Sequence, residues 1–352
     1  MYNEAVATKV TLKNIAERLN VSKVTISKAI NNQPGVSERL RQEILRVANE
    51  LGYAVPTKNR FRQFGVLIRA HHYVGVGADS FYQYIVYHIE RLCHDHDIKL
   101  FLRIVSEQDE RDANLPDFVE EKGVDGVFLV GEFDEAFLAL VTSYAIPTVA
   151  VDFAKSTMPV DHVVVDNFCA AYKMCTYLIK AGHREIGFVG DYHHSSSIAD
   201  RFFGYLKGLC LNDLPYNEEW HIRANLDDVC FADRTSGIRL PDPLPSAFLC
   251  HNDQAAHRFM LLLRTEGIDV PERLSVAAFD NSEYTKKHGF LTTVSIDKDE
   301  MAARAFDLLR RRIVTSASTV NKVVLDTKIV ERGSVLSHSP AADEGTPAEF
   351  TT

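Results

Sequence analysis

Residues 22–30 read Ser22-Lys23-Val24-Thr25-Ile26-Ser27-Lys28-Ala29-Ile30, and the fold can be worked out from them. Ser22 is a good helix N-cap, because its hydroxyl can accept a hydrogen bond from an otherwise unpaired amide of the first turn. Val24 and Ile26 leave room for an apolar contact on one side. The other side chains in the first turns of this helix are hydrogen-bond donors of different lengths, namely Lys23, Thr25, Ser27 and Lys28. A helix this polar at its start is poor core material, which indicates a binding surface.

The segment before this helix supplies its partner. Thr11 is predicted to cap a helix over residues 12–19, whose apolar face consists of Leu12, Ile15, Ala16 and Leu19. Asn20 then stands at a position that needs the left-handed backbone conformation, which Asn adopts more readily than most residues. Two helices joined by such a turn form the helix-turn-helix motif, whose second helix lies in the DNA major groove.

A third helix is predicted after the Pro34-Gly35 turn. Ser37 is its N-cap and Gly52 its predicted C-cap. Between them runs one apolar stripe, made of Leu40, Ile44, Val47, Ala48 and Leu51. Three such helices make a closed unit, termed the headpiece below.

The order and spacing of these residues resemble the headpiece of the LacI/GalR family of bacterial repressors. The resemblance rests on residues 11–16 (TLKNIA), residues 21–28 (VSKVTISK), Val36-Ser37 and residues 51–53 (LGY). It implies binding to double-stranded operator DNA. We expect a homodimer on a near-palindromic operator, because a single short helix reads few bases and two-fold pairing doubles the contacts. The DNA-binding residues that it implies are Thr11, Ser22, Lys23, Val24, Thr25, Ser27, Lys28 and Asn31. Lys28 stands where the family more often has Arg, so bidentate reading of guanine is lost there.

Charge divides the chain into two parts. Residues 1–62 hold 11 Lys and Arg against 5 Asp and Glu, a net of +6, which leaves −15 for the rest of a chain whose total is −9. A basic module of this kind supplies the salt-dependent part of DNA affinity.

The chain shows neither a membrane-spanning apolar run nor a signal-peptide core, so we expect it in the cytoplasm. Its six scattered cysteines predict reduced thiols and no metal site.

Residues 54–63 form a predicted linker between the headpiece and the remainder. Arg60, Phe61, Arg62 and Gln63 stand where the family carries an Ala-Arg-x-Leu stretch that forms a hinge helix in the minor groove. Phe61 is the one evident apolar substitute for the wedging Leu. The linker is also several residues short of the family pattern.

From Phe64 onward, apolar strands alternate with helical stretches, which predicts two doubly wound lobes with parallel sheets. The expected first set of strands begins at residues 65, 99, 126 and 147. The expected second set begins at residues 162, 186, 247 and 275. The predicted fold is therefore α/β: a three-helix headpiece over residues 1–53 and two periplasmic-binding-protein-like lobes over residues 64–335. The polar tail over residues 336–352 is predicted to be disordered.

In doubly wound sheets, ligands bind at the carboxyl ends of the strands. Four polar residues are expected there and match positions where the family contacts its effector, namely Asp152, Arg201, Asn252 and Asp280. Carboxylates accept from paired hydroxyls, while Arg and amides donate to them, so this set suits a polyhydroxylated molecule such as a sugar between the lobes. Phe81 and Tyr82 are candidates to cover its apolar face. A helix cap or loop contact is the ordinary alternative for any one of the four.

Two histidine pairs, His71-His72 and His193-His194, lie without a carboxylate or Cys at a ligand spacing, and we interpret them as exposed loop residues. Neither a metal nor a cofactor is predicted.

Three classes of function remain at this point: a ligand-responsive transcription regulator, a sugar-binding receptor without a regulatory role, and an α/β enzyme that uses the carboxylates. The basic headpiece favours the first. The lack of a phosphate loop or a nucleophile motif disfavours the third.

Overall fold

The computed structural model describes residues 10–30, 35–51, 53, 62–73, 81–155, 158–224, 226, 238–315 and 319–337. Several predicted features lie outside these residues: the DNA contact Asn31, the C-cap Gly52, the hinge positions Arg60 and Phe61, and the tail from residue 338.

The headpiece consists of α1 (Leu12–Leu19), α2 (Lys23–Ile30) and α3 (Glu38–Glu50). The backbone amide and hydroxyl of Thr11 both donate to Oδ1 of Asn14, at 2.9 and 2.7 Å, which fixes the start of α1. Asn20 has φ 52° and ψ 44°, so the predicted left-handed turn is present. The helix-turn-helix geometry therefore follows from local sequence.

The headpiece core corrects one expectation. Ile26 is fully buried with Ile15 and Ile44, so it packs inside and leaves no apolar contact for DNA. The other buried members of this cluster are Ala16, Ala29, Ile30, Leu45, Val47 and Ala48. Because 3.6 residues complete a helical turn, Ile26, Ala29 and Ile30 share one face of α2. Val24 lies on the opposite side and is 63% exposed.

Two six-stranded sheets follow. The first contains β1 (Gln63–Arg69), β2 (Lys99–Val105), β3 (Gly126–Val130), β4 (Thr148–Val151), β5 (Asp161–Val165) and β11 (Lys322–Leu325), in the order β11-β5-β4-β3-β1-β2. The second contains β6 (Ile186–Val189), β7 (His221–Ile222), β8 (Ala247–Cys250), β9 (Ser275–Asp280), β10 (Thr292–Ser295) and β12 (Lys328–Val330), in the order β12-β10-β9-β8-β6-β7. The central strands are mostly apolar and buried, as expected for parallel sheets covered on both faces.

The remaining helices connect these strands. They are α4 (Ala70–Tyr73), α5 (Phe81–Asp95), α6 (Glu107–Arg111), α7 (Asp117–Glu120), α8 (Glu135–Ser143), α9 (Asn167–Lys180), α10 (Ser196–Cys210), α11 (Asp253–Thr265), α12 (Glu283–His288) and α13 (Lys298–Thr315). A 3-10 turn spans Glu218–Trp220. Within the described part of the chain, none of these helices is long and apolar enough to cross a membrane.

The strand that begins near His162 was predicted in the second set, and this is wrong. As β5 it pairs in parallel with β4 of the first sheet, with Val149 opposite Asp161. The Asp161 carboxylate accepts from Nε and Nη2 of Arg312, at 2.8 and 2.7 Å, and from the Asn321 amide at 2.6 Å. These partners lie about 150 residues away in sequence, so local pattern could not assign the strand to a sheet. The strands β7, β10, β11 and β12 were not predicted, and β12 runs antiparallel to β10.

The described residues form two compact units. The first contains the headpiece and residues 62–73, 85–163 and 299–323; the second contains the described residues among 74–84, 164–298 and 324–352. The second unit has two apolar clusters. One includes Phe188, Phe202 and Tyr205, and the other includes Phe248, Phe259 and Leu263.

Candidate functional sites

The start of α2 has the predicted cap. The Thr25 amide donates to Oγ of Ser22 at 3.0 Å, and the two hydroxyl groups are 2.8 Å apart. A Ser N-cap of this kind stabilises a helix by roughly 1 kcal/mol. It also fixes the angle at which the chain enters α2, and therefore the direction of the side chains that follow.

The side chains predicted to contact DNA lie on the outer side of α2. Lys23, Val24 and Lys28 are exposed, while Thr25 and Ser27 are half-buried. Exposed residues also include Ser22, the cap, and Thr11, which precedes α1. The helix thus divides into a buried apolar face and an outward face of donors with one exposed valine.

Sequence reasoning missed Arg41 of α3. This buried side chain donates from Nη1 to the carbonyl of Ala29 at 2.9 Å. The last carbonyls of a helix have no partner within it, so a guanidinium at this point ties the end of α2 to α3. The signal that could have revealed it is a single cation in the otherwise apolar contact between two helices.

The second candidate site lies at the carboxyl edge of the second sheet, where Arg201 of α10 is buried. Nε of Arg201 donates to Oδ1 of Asn167 at 2.8 Å, and Nη2 donates to Oδ1 of Asp280 at 3.2 Å. Nη1 donates to the carbonyl of His251, and the guanidinium lies 4.7 Å from the centre of the Phe279 ring. Arg201 therefore joins the end of β8, the end of β9 and the start of α9.

Asp280 has a φ of 102°, a conformation that non-glycine residues rarely adopt. Its carboxylate is held by Arg201, and its carbonyl accepts from Nζ of Lys298 at 3.1 Å. Strained backbone of this kind persists only where the surroundings fix it, and it is concentrated at functional sites. The two cations supply that fixation.

Asp253, a further acidic residue, was not predicted as part of this site. Its carboxylate is buried, and it accepts from the Thr293 hydroxyl at 2.5 Å and from the Ser282 amide at 2.7 Å. Burial, followed by repulsion from Asp280, raises the pKa of Asp253 from 3.8 to about 6.

This raised pKa predicts how stability depends on pH. The folded protein binds the Asp253 proton more tightly than the unfolded chain, so this contribution is fully present below pH 3.8 and is lost as the pH rises through about 6. A shift of about two units corresponds to roughly 3 kcal/mol. In urea titrations from pH 4 to pH 7, we expect Asp253→Asn to remove this part of the pH dependence. Asp269→Asn, at an exposed position, is the control; an unchanged pH profile in D253N would contradict the assignment.

The other predicted effector residues lie apart from the pair formed by Arg201 and Asp280. Oδ1 of Asn252 accepts from the Ala255 amide at 2.7 Å, so this side chain caps α11, which was the ordinary alternative. Phe81 and Tyr82 are half-buried at the start of α5, with ring centres 5.2 Å apart. Asp152 is buried after β4 in the first unit, with φ 68°. Of the four polar residues, the structure joins Arg201 and Asp280 directly; contact of all of them with one ligand stays a prediction.

The histidine pairs differ from each other. His193 and His194 are exposed in the loop after β6, as expected. His71 and His72 belong to α4 instead of a loop, and their rings lie 3.8 Å apart. The described residues contain no group of three His, Cys, Asp or Glu side chains arranged to hold a metal ion.

Known proteins are similar to this chain in both its N-terminal and its C-terminal regions. A family model described as bacterial regulatory proteins, lacI family, matches residues 11–55, and one described as a periplasmic binding protein-like domain matches residues 175–335. The HTH-type transcriptional repressor PurR of Actinobacillus pleuropneumoniae is 25% identical over 305 residues, covering 86% of this chain and 91% of that protein. The PurR repressor of Escherichia coli O139:H28 is 26% identical over 335 residues, covering 92% and 96%.

Solved structures agree on the fold. The complex of the transcriptional regulator CelR with cellobiose has a TM-score of 0.62 at 22% identity, covering 92% of this chain and 99% of that one. A LacI family regulator from Enterococcus faecium with bound ribose has a TM-score of 0.65 at 20% identity, covering 79% and 100%.

A helix-turn-helix headpiece followed by two parallel α/β sheets defines the class of bacterial regulators that join DNA-binding and periplasmic-binding-protein-like domains. The chain resembles this class: its N-terminal region matches the lacI family of bacterial regulatory proteins, and residues 175–335 match a periplasmic binding protein-like domain. The PurR relatives and the CelR structure are described as regulators of transcription.

Proposed function

We propose that the protein is a ligand-responsive repressor that binds near-palindromic operator DNA as a homodimer. The observation that carries this proposal is the outward face of α2, where Lys23, Val24 and Lys28 are exposed while Ile26 holds the helix in the headpiece core. Lys23, Val24, Ser27 and Lys28 read bases. Thr25 and the other cations of the headpiece bind phosphates, with Thr11, Ser22 and Asn31 completing the interface. Residues 1–53 form the DNA-binding domain, and the protein acts in the cytoplasm.

A double substitution tests the DNA site. We expect Lys23→Ala with Lys28→Ala to weaken operator binding by roughly 2 to 6 kcal/mol if both lysines contact base edges. If either contacts a phosphate instead, the slope of log affinity against log salt should fall by about one per lost contact. Gel shifts with operator fragments selected from random DNA measure both effects.

Arg46→Ala is the matched control. This exposed cation of the same domain lies on α3 and pairs with Glu50 at 2.6 Å, so we expect its removal to cost at most one phosphate contact and no base contact. The proposal is overturned if the control loses as much affinity as the double variant, because the effect would then be one of total charge. Selected sites that contain a single asymmetric half would contradict the dimer.

An exposed apolar edge of the first sheet supports the homodimer. The edge strand β2 exposes 38% of Phe101 and 41% of Leu102. Unpaired edges with apolar side chains readily pair with another chain, so this edge is a candidate dimer surface.

We expect Phe101→Lys with Leu102→Lys to shift the protein toward the monomer in sedimentation experiments and to weaken binding to the palindromic operator. Val324→Lys is the control, since Val324 is 50% exposed on β11 at the opposite edge of the same sheet. A double variant that sediments as the wild type would place the dimer contact elsewhere.

We further propose that the effector is a polyhydroxylated small molecule, in particular a sugar, and that the regulated genes serve carbohydrate utilisation. Arg201 is buried beside the partly exposed Asp280, and the second carboxylate oxygen of Asp280 can accept from a ligand hydroxyl. Phe81, Tyr82, Asp152 and Asn252 complete the proposed set. The complexes with cellobiose and ribose indicate that this fold can accommodate sugars.

Mass spectrometry of small molecules released from the purified protein tests the effector proposal, together with operator binding in the presence of each compound found. A released polyhydroxylated compound that changes operator affinity in the wild type, and fails to do so in Asp280→Ala, supports it. A compound without hydroxyl groups that acts through the same residue would overturn the sugar assignment and leave the regulator intact.

A further inference from the structure

Lys298 is a buried cation that the proposed sugar site does not explain. It is the first residue of α13, follows the carboxyl end of β10, and is only 7% exposed. Burial is the largest cause that lowers the pKa of its ammonium group, and the nearby Lys286 adds to the lowering. Placing an ammonium group here is unfavourable unless something compensates its charge.

The neighbouring carboxylates compensate this charge only at a distance. Asp280, Asp253 and Glu283 all favour the charged ammonium electrostatically, yet among the described residues none lies within ion-pair distance of it. Glu283 pairs with Lys286 instead. The Asp280 carboxylate is held by Arg201, and the Asp253 carboxylate by Thr293 and Ser282. Each acidic group at this edge already has a partner of its own.

Among the described residues, the Lys298 ammonium makes one hydrogen bond, to the carbonyl oxygen of Asp280 at 3.1 Å. It also lies 5.6 Å from the centre of the Phe81 ring, which belongs to the same compact unit. An ammonium group has three donors, so two remain for another acceptor. Both direct partners are uncharged, so among the described residues the ammonium has no anionic hydrogen-bond acceptor.

From this arrangement we infer that the effector carries an anionic group, a carboxylate or a phosphate, which Lys298 binds. The inference rests on the proposed effector function and narrows it from sugars in general to acidic or phosphorylated sugars. The ligand hydroxyls bind beside Asp280, and the anion binds at Lys298. Lys298 was not among the effector-binding residues predicted from the sequence. Charge-assisted hydrogen bonds of this kind are about twice as strong as neutral ones.

Thermal unfolding of the full-length protein tests the inference with defined probes. Sodium phosphate is compared with sodium chloride at equal ionic strength, and sodium D-gluconate with D-glucose. We expect phosphate or gluconate to raise the unfolding midpoint of the wild type and chloride and glucose to leave it unchanged. A response to phosphate alone identifies a phosphorylated ligand, and a response to gluconate alone identifies a carboxylate.

Substitutions at the site give the second readout. Lys298→Met should weaken binding of the responding anion by roughly thirty-fold or more, while Lys298→Arg keeps the charge and retains binding. Lys207→Met is the matched control, because Lys207 also lies over aromatic rings, Phe168 and Tyr172, in the same unit but is exposed.

The outcomes separate this inference from the proposed function. The inference is overturned if phosphate shifts the unfolding midpoint no more than chloride does, and gluconate no more than glucose does. This holds whatever the variants show. An anion response that persists unchanged in Lys298→Met also overturns it. A neutral sugar whose binding needs Asp280 but not Lys298 would retain the effector proposal and exclude the anionic group. If no polyhydroxylated compound, charged or neutral, binds in an Asp280-dependent manner, the effector proposal itself fails.

Discussion

Arg201→Ala is expected to lower the free energy of unfolding of the second unit by about 3 to 5 kcal/mol, the usual cost of removing one partner of a buried ion pair. The side chain is 6% exposed and that of Asp280 14% exposed, so the remaining carboxylate would stay in a poorly hydrated place without its cation. The carbonyl of His251 and the amide oxygen of Asn167 would lose a donor as well. Urea denaturation at pH 7 measures the change.

The same variant should lose its response to effector and keep operator binding in the absence of ligand, because the headpiece is untouched. Arg223→Ala is the control, since its pair with Glu218 is half exposed, and such pairs contribute about 1 kcal/mol or less. A double-mutant cycle with Asp280→Ala isolates the pair: the two losses should add to more than the loss in the double variant. An R201A protein as stable as R223A would show that the pair contributes nothing.

The second large effect concerns Gly204, which lies where α10 crosses α9. A Cβ atom at this position would stand 2.1 Å from the Phe168 carbonyl oxygen and 2.9 Å from Cβ of Ala171. The obstacle is backbone, which cannot move aside as a flexible side chain can. We expect Gly204→Ala to destabilise the second unit by about 1 to 3 kcal/mol, and Gly204→Val by more.

Function should suffer together with stability in these variants. Arg201 lies one turn before Gly204 on α10, and its partner Asn167 begins α9. Forcing the helices apart should therefore lengthen the bond between Arg201 and Asn167 and weaken effector binding, measured by calorimetry. Phe203→Ala is the control, because Phe203 is adjacent on the same helix but 51% exposed. Full effector affinity in a destabilised G204A protein would show that the helix crossing does not position Arg201.

Much of the headpiece could be predicted from its sequence because its signals are local. A Ser cap and an Asn at a left-handed position act over three or four residues, and the structure has both at Ser22 and Asn20. The one error, at Ile26, is of a different kind. The apolar residue itself was evident, but its partners Ile15 and Ile44 determine that it points inward.

The strands of the lobes were also evident, since apolar runs between helical stretches mark a parallel sheet. It was harder to predict from the sequence which of the two sheets a given strand joins. Residues around His162 carry the same apolar pattern in either sheet, and the distant Arg312 and Asn321 fix β5 in the first. The contact between Asp161 and Arg312, which are 151 residues apart, leaves no trace in a local window of sequence.

Sequence alone determined which residues carry charge at the ends of the strands, and the positions of Arg201 and Asp280 were found in this way. Tertiary structure decided how those charges are compensated. It pairs Arg201 with Asp280 over 79 residues, buries Asp253 until its pKa rises to about 6, and leaves Lys298 near carboxylates that already have partners. The reason is physical: the charge on a side chain is a property of its chemistry, whereas its compensation depends on distance and burial, which only the folded chain defines.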